Sequence, residues 1–214
     1  MKEGKKQMIK KEIITMQSES WFDEERTHRY VLRKQWYEGV KEGQTGDIAV
    51  VVTIRPTNTS ALVEDLSSML IEKNIRQLGF TGFIAVNLFS SIKAKNKATF
   101  LTGTDDNTFE VMTTVLKEKR ITQIIFACGS ILTTSTIALE QAKKIYDLLS
   151  VKQKKLTKVL VNPTNGHLAH PLSVYSRREW LVADLDTNIF EESSSVQGKN
   201  DKPLENVTDE PPDV

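Results

Sequence analysis

Apolar and polar positions alternate along this chain in blocks that switch between two periods. Ile48-Ala-Val-Val-Val-Thr-Ile54, Phe83-Ile-Ala-Val-Asn-Leu88, Ile121-Thr-Gln-Ile-Ile-Phe-Ala127 and Lys158-Val-Leu-Val161 are short, β-branched and largely apolar. Such runs predict buried strands. Between them, apolar residues recur at helical spacing. Leu62, Leu66, Met69, Leu70, Ile75 and Leu78 predict one helix, Asn107 to Lys119 a second, and Ala138, Ala142, Ile145 and Leu149 the face of a third over Thr134 to Leu149. Arg29-Tyr-Val-Leu-Arg-Lys-Gln-Trp36 alternates imperfectly and predicts a further, half-exposed strand, followed by a polar loop from Gly39 to Gly46. Strand and helix taking turns at this spacing predict an α/β fold. The expectation is three layers, α/β/α, around a mostly parallel sheet of four or five strands. No internal repeat is visible.

The two ends differ from this middle. Residues 1–20 are lysine-rich and weakly patterned, an extension read as a frayed helix at most, with no place in the core. From 187 the chain turns polar, and residues 191–214 hold seven acids against two lysines, with Ser193-Ser-Ser195 and Pro211-Pro212. This predicts a disordered acidic tail after a single domain at 21–186.

Charge and composition narrow the function classes. A formal net charge of +1 supplies no overall field for nucleic acid or membrane. No apolar run approaches the ~18 residues of a spanning helix, and no apolar stretch follows the first lysines as in a signal peptide. The single cysteine, Cys128, excludes an intramolecular disulfide and a cysteine-cluster metal site. A reducing cytoplasm is the expected compartment, with no metal and no cofactor expected.

Candidate chemistry follows from the topology. The carboxyl ends of parallel strands share one edge, and ligands bind there. The first buried strand leads into Arg55-Pro56-Thr57-Asn58, the second ends at Asn87, and the third leads into Cys128-Gly129-Ser130. The fourth runs into a loop carrying Asn165, His167, His170 and Ser173. Plainer roles exist for several of these. Thr57 to Ser60 can cap the next helix, Asn87 can satisfy backbone groups, and Cys128 suits a small buried hydrophobe. Asp105 or Asp106 fits a helix N-cap, and His28 has no supporting context. Arg29, Arg33 and Lys34, with Tyr30, Trp36 and Tyr37, could line a nucleotide or phosphate site or form a solvated face. His167 and His170, separated by a Gly/Pro-broken loop, suit hydrogen bonding or acid–base work better than metal ligation.

An ordered series of boxes carries a family resemblance. Arg29-Tyr30-…-Trp36, the strand ending in Pro56-Thr57, Val86-Asn87-Leu88-Phe89, Gly103-x-Asp105-Asp106-Asn107, the strand ending in Gly129, and His170-Pro171-Leu172 come in that order. The series, over about residues 26–182, resembles the bacterial, plasmid and phage family known as domain of unknown function 1643. It departs from the family pattern at Arg55, Cys128 and Ala169. A more distant likeness is to the uracil-DNA glycosylase fold. There the positions of Pro56, Asn87, Gly129 and His170-Pro171 surround a base, the Asn reading its edge and the His stabilising it as it departs. The first loop, Arg55-Pro-Thr-Asn58, has no carboxylate, so the likeness implies a nucleobase or nucleotide pocket before it implies glycosidic cleavage. Three functions stay open. The chain binds a nucleotide, nucleobase or nucleic-acid element at its sheet edge; or it is a glycosylase-like hydrolase centred on His170 and Asn87; or it is a phage or plasmid module that blocks a host protein.

Overall fold

The computed structural model describes residues 10–38, 46–57 and 63–191. Residues 1–9, most of the expected 39–46 loop, Asn58 and the acidic tail from 192 lie outside the described residues. Seven strands form one sheet: β1 (Ile14–Phe22), β2 (Arg29–Glu38), β3 (Ile48–Thr53), β4 (Gly82–Asn87), β5 (Ile121–Phe126), β6 (Thr157–Val161) and β7 (Leu181–Asp184). Their order is β1-β2-β4-β3-β5-β6-β7. The central four, β4, β3, β5 and β6, are parallel. Antiparallel strands flank them, β2 and then β1 on one side and β7 on the other.

Every residue of β3 and β4 is buried, which is why both read as unbroken apolar runs. Alternate residues still face opposite layers. Val50, Val52, Ile124 and Phe126 pack with Met112 and Val115 of α3 (Asp106–Val115) and Ala138, Ala142 and Ile145 of α5 (Thr136–Leu148). Ala49, Val51, Ile125 and Leu160 pack with Ile71 and Ile75 of α1 (Leu66–Gln77) and with Trp180. Each fully buried Ile or Phe in these layers contributes roughly 1.5–3 kcal/mol. Short helices α2 (Lys97–Phe100), α4 (Ile131–Thr134) and α6 (Val151–Lys155) fill the connections. The helix starts follow local capping chemistry. Asp65 accepts from the Ser68 amide, Asp105 and Thr108 form a reciprocal capping box, and Ser135 caps α5.

Five expectations change. The sheet has seven strands rather than four or five, because β1 and β7 are mostly exposed edge strands and lack an apolar run. β1 falls partly in the extension that had been read as a frayed helix; it pairs along β2, and Trp21 packs on the core. β2 is largely buried rather than half-exposed. Two of its cations are matched internally, Lys34 by Glu64 and Glu72 and Arg33 by Glu118. In α1 the buried face is Ser68, Ile71, Asn74 and Ile75, while Leu66, Met69 and Leu78 are exposed. Inside, the Asn74 amide nitrogen donates to the carbonyls of Leu70 and Ser176, while its Oδ1 has no partner among the described residues. The chain also stays packed past 186, since a 3-10 turn at Thr187–Phe190 buries Phe190 against Tyr146. Among the described residues no helix is long and apolar enough to cross a membrane.

Candidate functional site

The connection leaving β3 runs to β4 on one side of it, and the connection leaving β5 runs to β6 on the other. The two chains diverge at the carboxyl ends of β3 and β5, and divergence there leaves a crevice. A cavity of about 230 Å³ occupies this place. Thr53, Ile54, Arg55 and Thr57 line it from the end of β3, and Ile131 from beyond β5. His170 and Leu172 arrive from the loop after β6, and Asp65, Ser67 and Ser68 from the start of α1. Arg29, Lys95 and Phe100 complete its wall.

The loop after β6 aims His170 by folding back on its own strand. Gly166, at φ +73°, turns the chain; Leu168 then bridges Val161, and the Ala169 amide donates to Leu160 O at 2.8 Å. The His170 amide donates to Ser173 Oγ at 3.1 Å. The Leu172 amide donates to His170 Nδ1 at 3.2 Å. A backbone N–H can only donate, so Nδ1 is the acceptor and the neutral ring carries its proton on Nε2. Burial holds the imidazole below its ordinary pKa, opposed by the charge of Asp65, so the neutral form prevails at pH 7. His170 therefore presents one fixed donor, Nε2–H. Behind it stands Gly129 at φ +69°, where a Cβ would lie 3.2 Å from that of His170.

Asp65 is the carboxylate of the site. Its Oδ1 accepts from the Ser68 amide at 2.7 Å and its Oδ2 from the Thr57 hydroxyl. Burial pushes its pKa up, but these hydrogen bonds and the charge of Arg29 outweigh that and keep it ionised. Arg29 is only 6% exposed, and its Nε has no hydrogen-bond partner among the described residues. Burial lowers its pKa and the charge of Asp65 raises it. Its neighbours in sequence are anchored on the opposite layer. His28 Nδ1 lies 2.8 Å from Ser90 Oγ, Ser90 Oγ 2.7 Å from Thr108 Oγ1, and the Tyr30 hydroxyl donates to Asp105 at 2.6 Å. This chain gives His28 the context its sequence lacked. The Tyr30 hydroxyl is pushed up to about 12 by burial and by Asp105.

The sequence candidates separate into groups. Arg55, Thr57 and His170 line the cavity. Asn87 is buried and meets the cavity wall through Thr53, whose hydroxyl donates to Asn87 Oδ1 at 2.8 Å. Gly129 and Ser173 hold His170 in place, and Pro56 is buried beside Arg55, whose Nη1 reaches its carbonyl at 3.5 Å. Ser130 and His167 face elsewhere, into a second cavity of about 580 Å³ that also takes Asp184 and Asp186. Asn165 caps the turn before it, accepting from the His167 amide at 3.0 Å. Asn58 lies outside the described residues. Asp65, Ser67, Ser68 and Lys95 had no place among the candidates. Asp65 carried a signal all the same, an acidic residue immediately before a helical repeat. Among the described residues no group of three or more His, Cys, Asp or Glu could hold a metal ion.

Residues 29–172 match the family described as protein of unknown function (DUF1643). The chain belongs to this family. No curated protein and no solved structure matches it. The DUF1643 segment opens at Arg29 and closes at Leu172, and it contains every residue that lines the first cavity. The second cavity draws on Ala183, Asp184 and Ile189, beyond the DUF1643 segment. The first cavity thus lies wholly within the matched segment.

Proposed function

We propose that the protein binds a nucleobase or nucleotide in the cavity at the carboxyl ends of β3 and β5. The observation that carries this reading is His170, held with Nδ1 occupied and Nε2–H free in a crevice where the Asp65 carboxylate acts on it. A fixed donor and a fixed acceptor suit the polar edge of a heteroaromatic ring, and Ile54, Ile71, Phe100 and Ile131 supply apolar walls for its faces. The volume of about 230 Å³ is below the ~300–1,000 Å³ of sites that enclose whole drug-sized ligands. One moiety enters, and the remainder of the ligand stays outside. A base from a nucleic-acid strand would have to be turned out of its stack to reach it.

The test is calorimetric titration of nucleobases, nucleosides and nucleotides into the wild type and His170→Ala. The expected loss in the variant is about 1–3 kcal/mol, the usual cost of leaving a buried polar partner unmatched. Full affinity in His170→Ala, or no binding of any of these compounds by the wild type, would refute the reading. A second reading, hydrolysis of a glycosidic bond, is favoured by Asp65, which puts into the cavity the carboxylate that the first loop lacks. It requires release of free base from a nucleoside or from DNA by the wild type, and its loss in Asp65→Asn.

A further inference from the structure

Arg29 is a buried cation for which the described residues supply no ion-pair partner. It is nine-tenths buried, and its Nε lacks an acceptor. Dehydrating a guanidinium without an ion pair costs several kcal/mol. The other buried or half-buried cations nearby are matched: Lys34 by Glu64 and Glu72, Arg33 by Glu118. Asp65 comes close enough for its charge to act on Arg29, yet no hydrogen bond or ion pair joins the two side chains among the described residues.

The cavity wall around Arg29 has the chemistry of an anion site. The twelve-residue helix α1 begins there, with Ser67 and Ser68 in its first turn facing the cavity. A helix start presents free amides and the positive end of its dipole. Asp65 takes the Ser68 amide, but no acceptor is found for the Leu66 and Ser67 amides among the described residues. Arg55 and Lys95 add two more cations against the single carboxylate of Asp65.

We propose that Arg29 and the first turn of α1 form a phosphate subsite, with the guanidinium donating to the phosphoryl oxygens alongside the hydroxyls of Ser67 and Ser68. This builds on the cavity reading above and specifies it: the recognised ligand is a phosphorylated nucleoside, and the phosphate is one of its anchoring ends. The missing acceptor of Arg29 is then supplied by the ligand. The planar fork of a guanidinium suits a phosphate better than a lysine would.

The experiment titrates the full-length chain with inorganic phosphate, with the four ribonucleoside 5′-monophosphates and with their parent nucleosides. It compares wild type, Arg29→Lys and Arg29→Met, with a thermal melt of each. In the wild type, phosphate raises the melting temperature, and at least one monophosphate binds roughly tenfold to a hundredfold tighter than its nucleoside, the range for a hydrogen bond to a charged group. In Arg29→Met that preference disappears and Arg29→Lys retains part of it, the ratio of monophosphate to nucleoside affinity within each protein being the readout. Without ligand, Arg29→Met melts close to the wild type, because the buried charge it removes has no hydrogen bond or ion pair among the described residues. A melting temperature that falls sharply in Arg29→Met would make Arg29 a structural cation and overturn the subsite. So would a wild type that prefers no monophosphate and does not respond to phosphate. Nucleosides that bind without any phosphate preference would overturn the subsite alone and leave the base pocket standing. Phosphate binding lost in Arg29→Met, with no gain from any base, would keep the subsite and refute the base pocket.

Discussion

At the residue scale, the positions that matter are ones where a side chain has no freedom. Gly129 is the clearest. Its φ of +69° strains any residue with a Cβ, and that Cβ would press on His170 at 3.2 Å. Gly129→Ala is expected to cost about 1–2 kcal/mol from the left-handed backbone alone. It should also weaken ligand binding by displacing the ring, which urea denaturation and calorimetry would show separately. Glu118 answers to pH. Hydrogen bonds from Arg120 and Arg33 hold its carboxyl down at about 2. An unfolded glutamate titrates near ~4.3. Its contribution is therefore present above pH ~4.3 and is lost as pH falls toward 2. Glu118→Gln should be less stable near neutrality and should show a shallower loss between those values in a denaturation series across pH. Legibility at this scale was uneven. His170 stood out because it sits between a buried strand and a proline. Arg29 was one of three strand cations that could line a phosphate site or a solvated face, because a sequence cannot show whether such a cation meets water, a carboxylate or a cavity wall.

At the element scale, runs of one period were readable and mixtures were not. β3, β4, β5 and β6 announced themselves because strands covered on both faces are apolar throughout. α1 was placed, but its inner face was not. Its buried stripe includes Ser68 and Asn74, and two larger apolar residues, Leu66 and Met69, lie outside. Spacing alone cannot choose between two overlapping stripes when polar side chains find partners inside. β1 was missed because a strand with one neighbour and two wet faces need not alternate. The start of α1 joins stability to the site. Asp65→Ala should destabilise the fold by about 0.5–2 kcal/mol through loss of the cap. Asp65→Asn keeps the cap and should cost much less, while still removing the negative charge beside Arg29 and His170. Melting curves of the pair would separate capping from charge, and equal losses in the two would put the charge first.

At the scale of the whole molecule, the first cavity lies at the carboxyl ends of the parallel centre, with Arg29 of the antiparallel β2 in its wall. The family segment omits β1 and β7 yet includes the entire first cavity. Removing residues 1–22 should therefore lower the melting temperature, since it uncovers the β2 edge and takes Trp21 from the core. Ligand affinity measured well below that temperature should be unchanged, and a loss of affinity in step with the melt would tie β1 to the cavity. The same arrangement sets an order of events while the chain is being synthesised. β1 and β2 are joined by a short turn and can pair soon after they emerge from the ribosome. The other edge of β2 must wait for β4, which comes only after β3 and α1 have been made. Until then Arg29 and Lys34 remain hydrated on a bare hairpin. The first part of the sheet to be born thus stays charged and soluble, and becomes interior only when α1 closes over it.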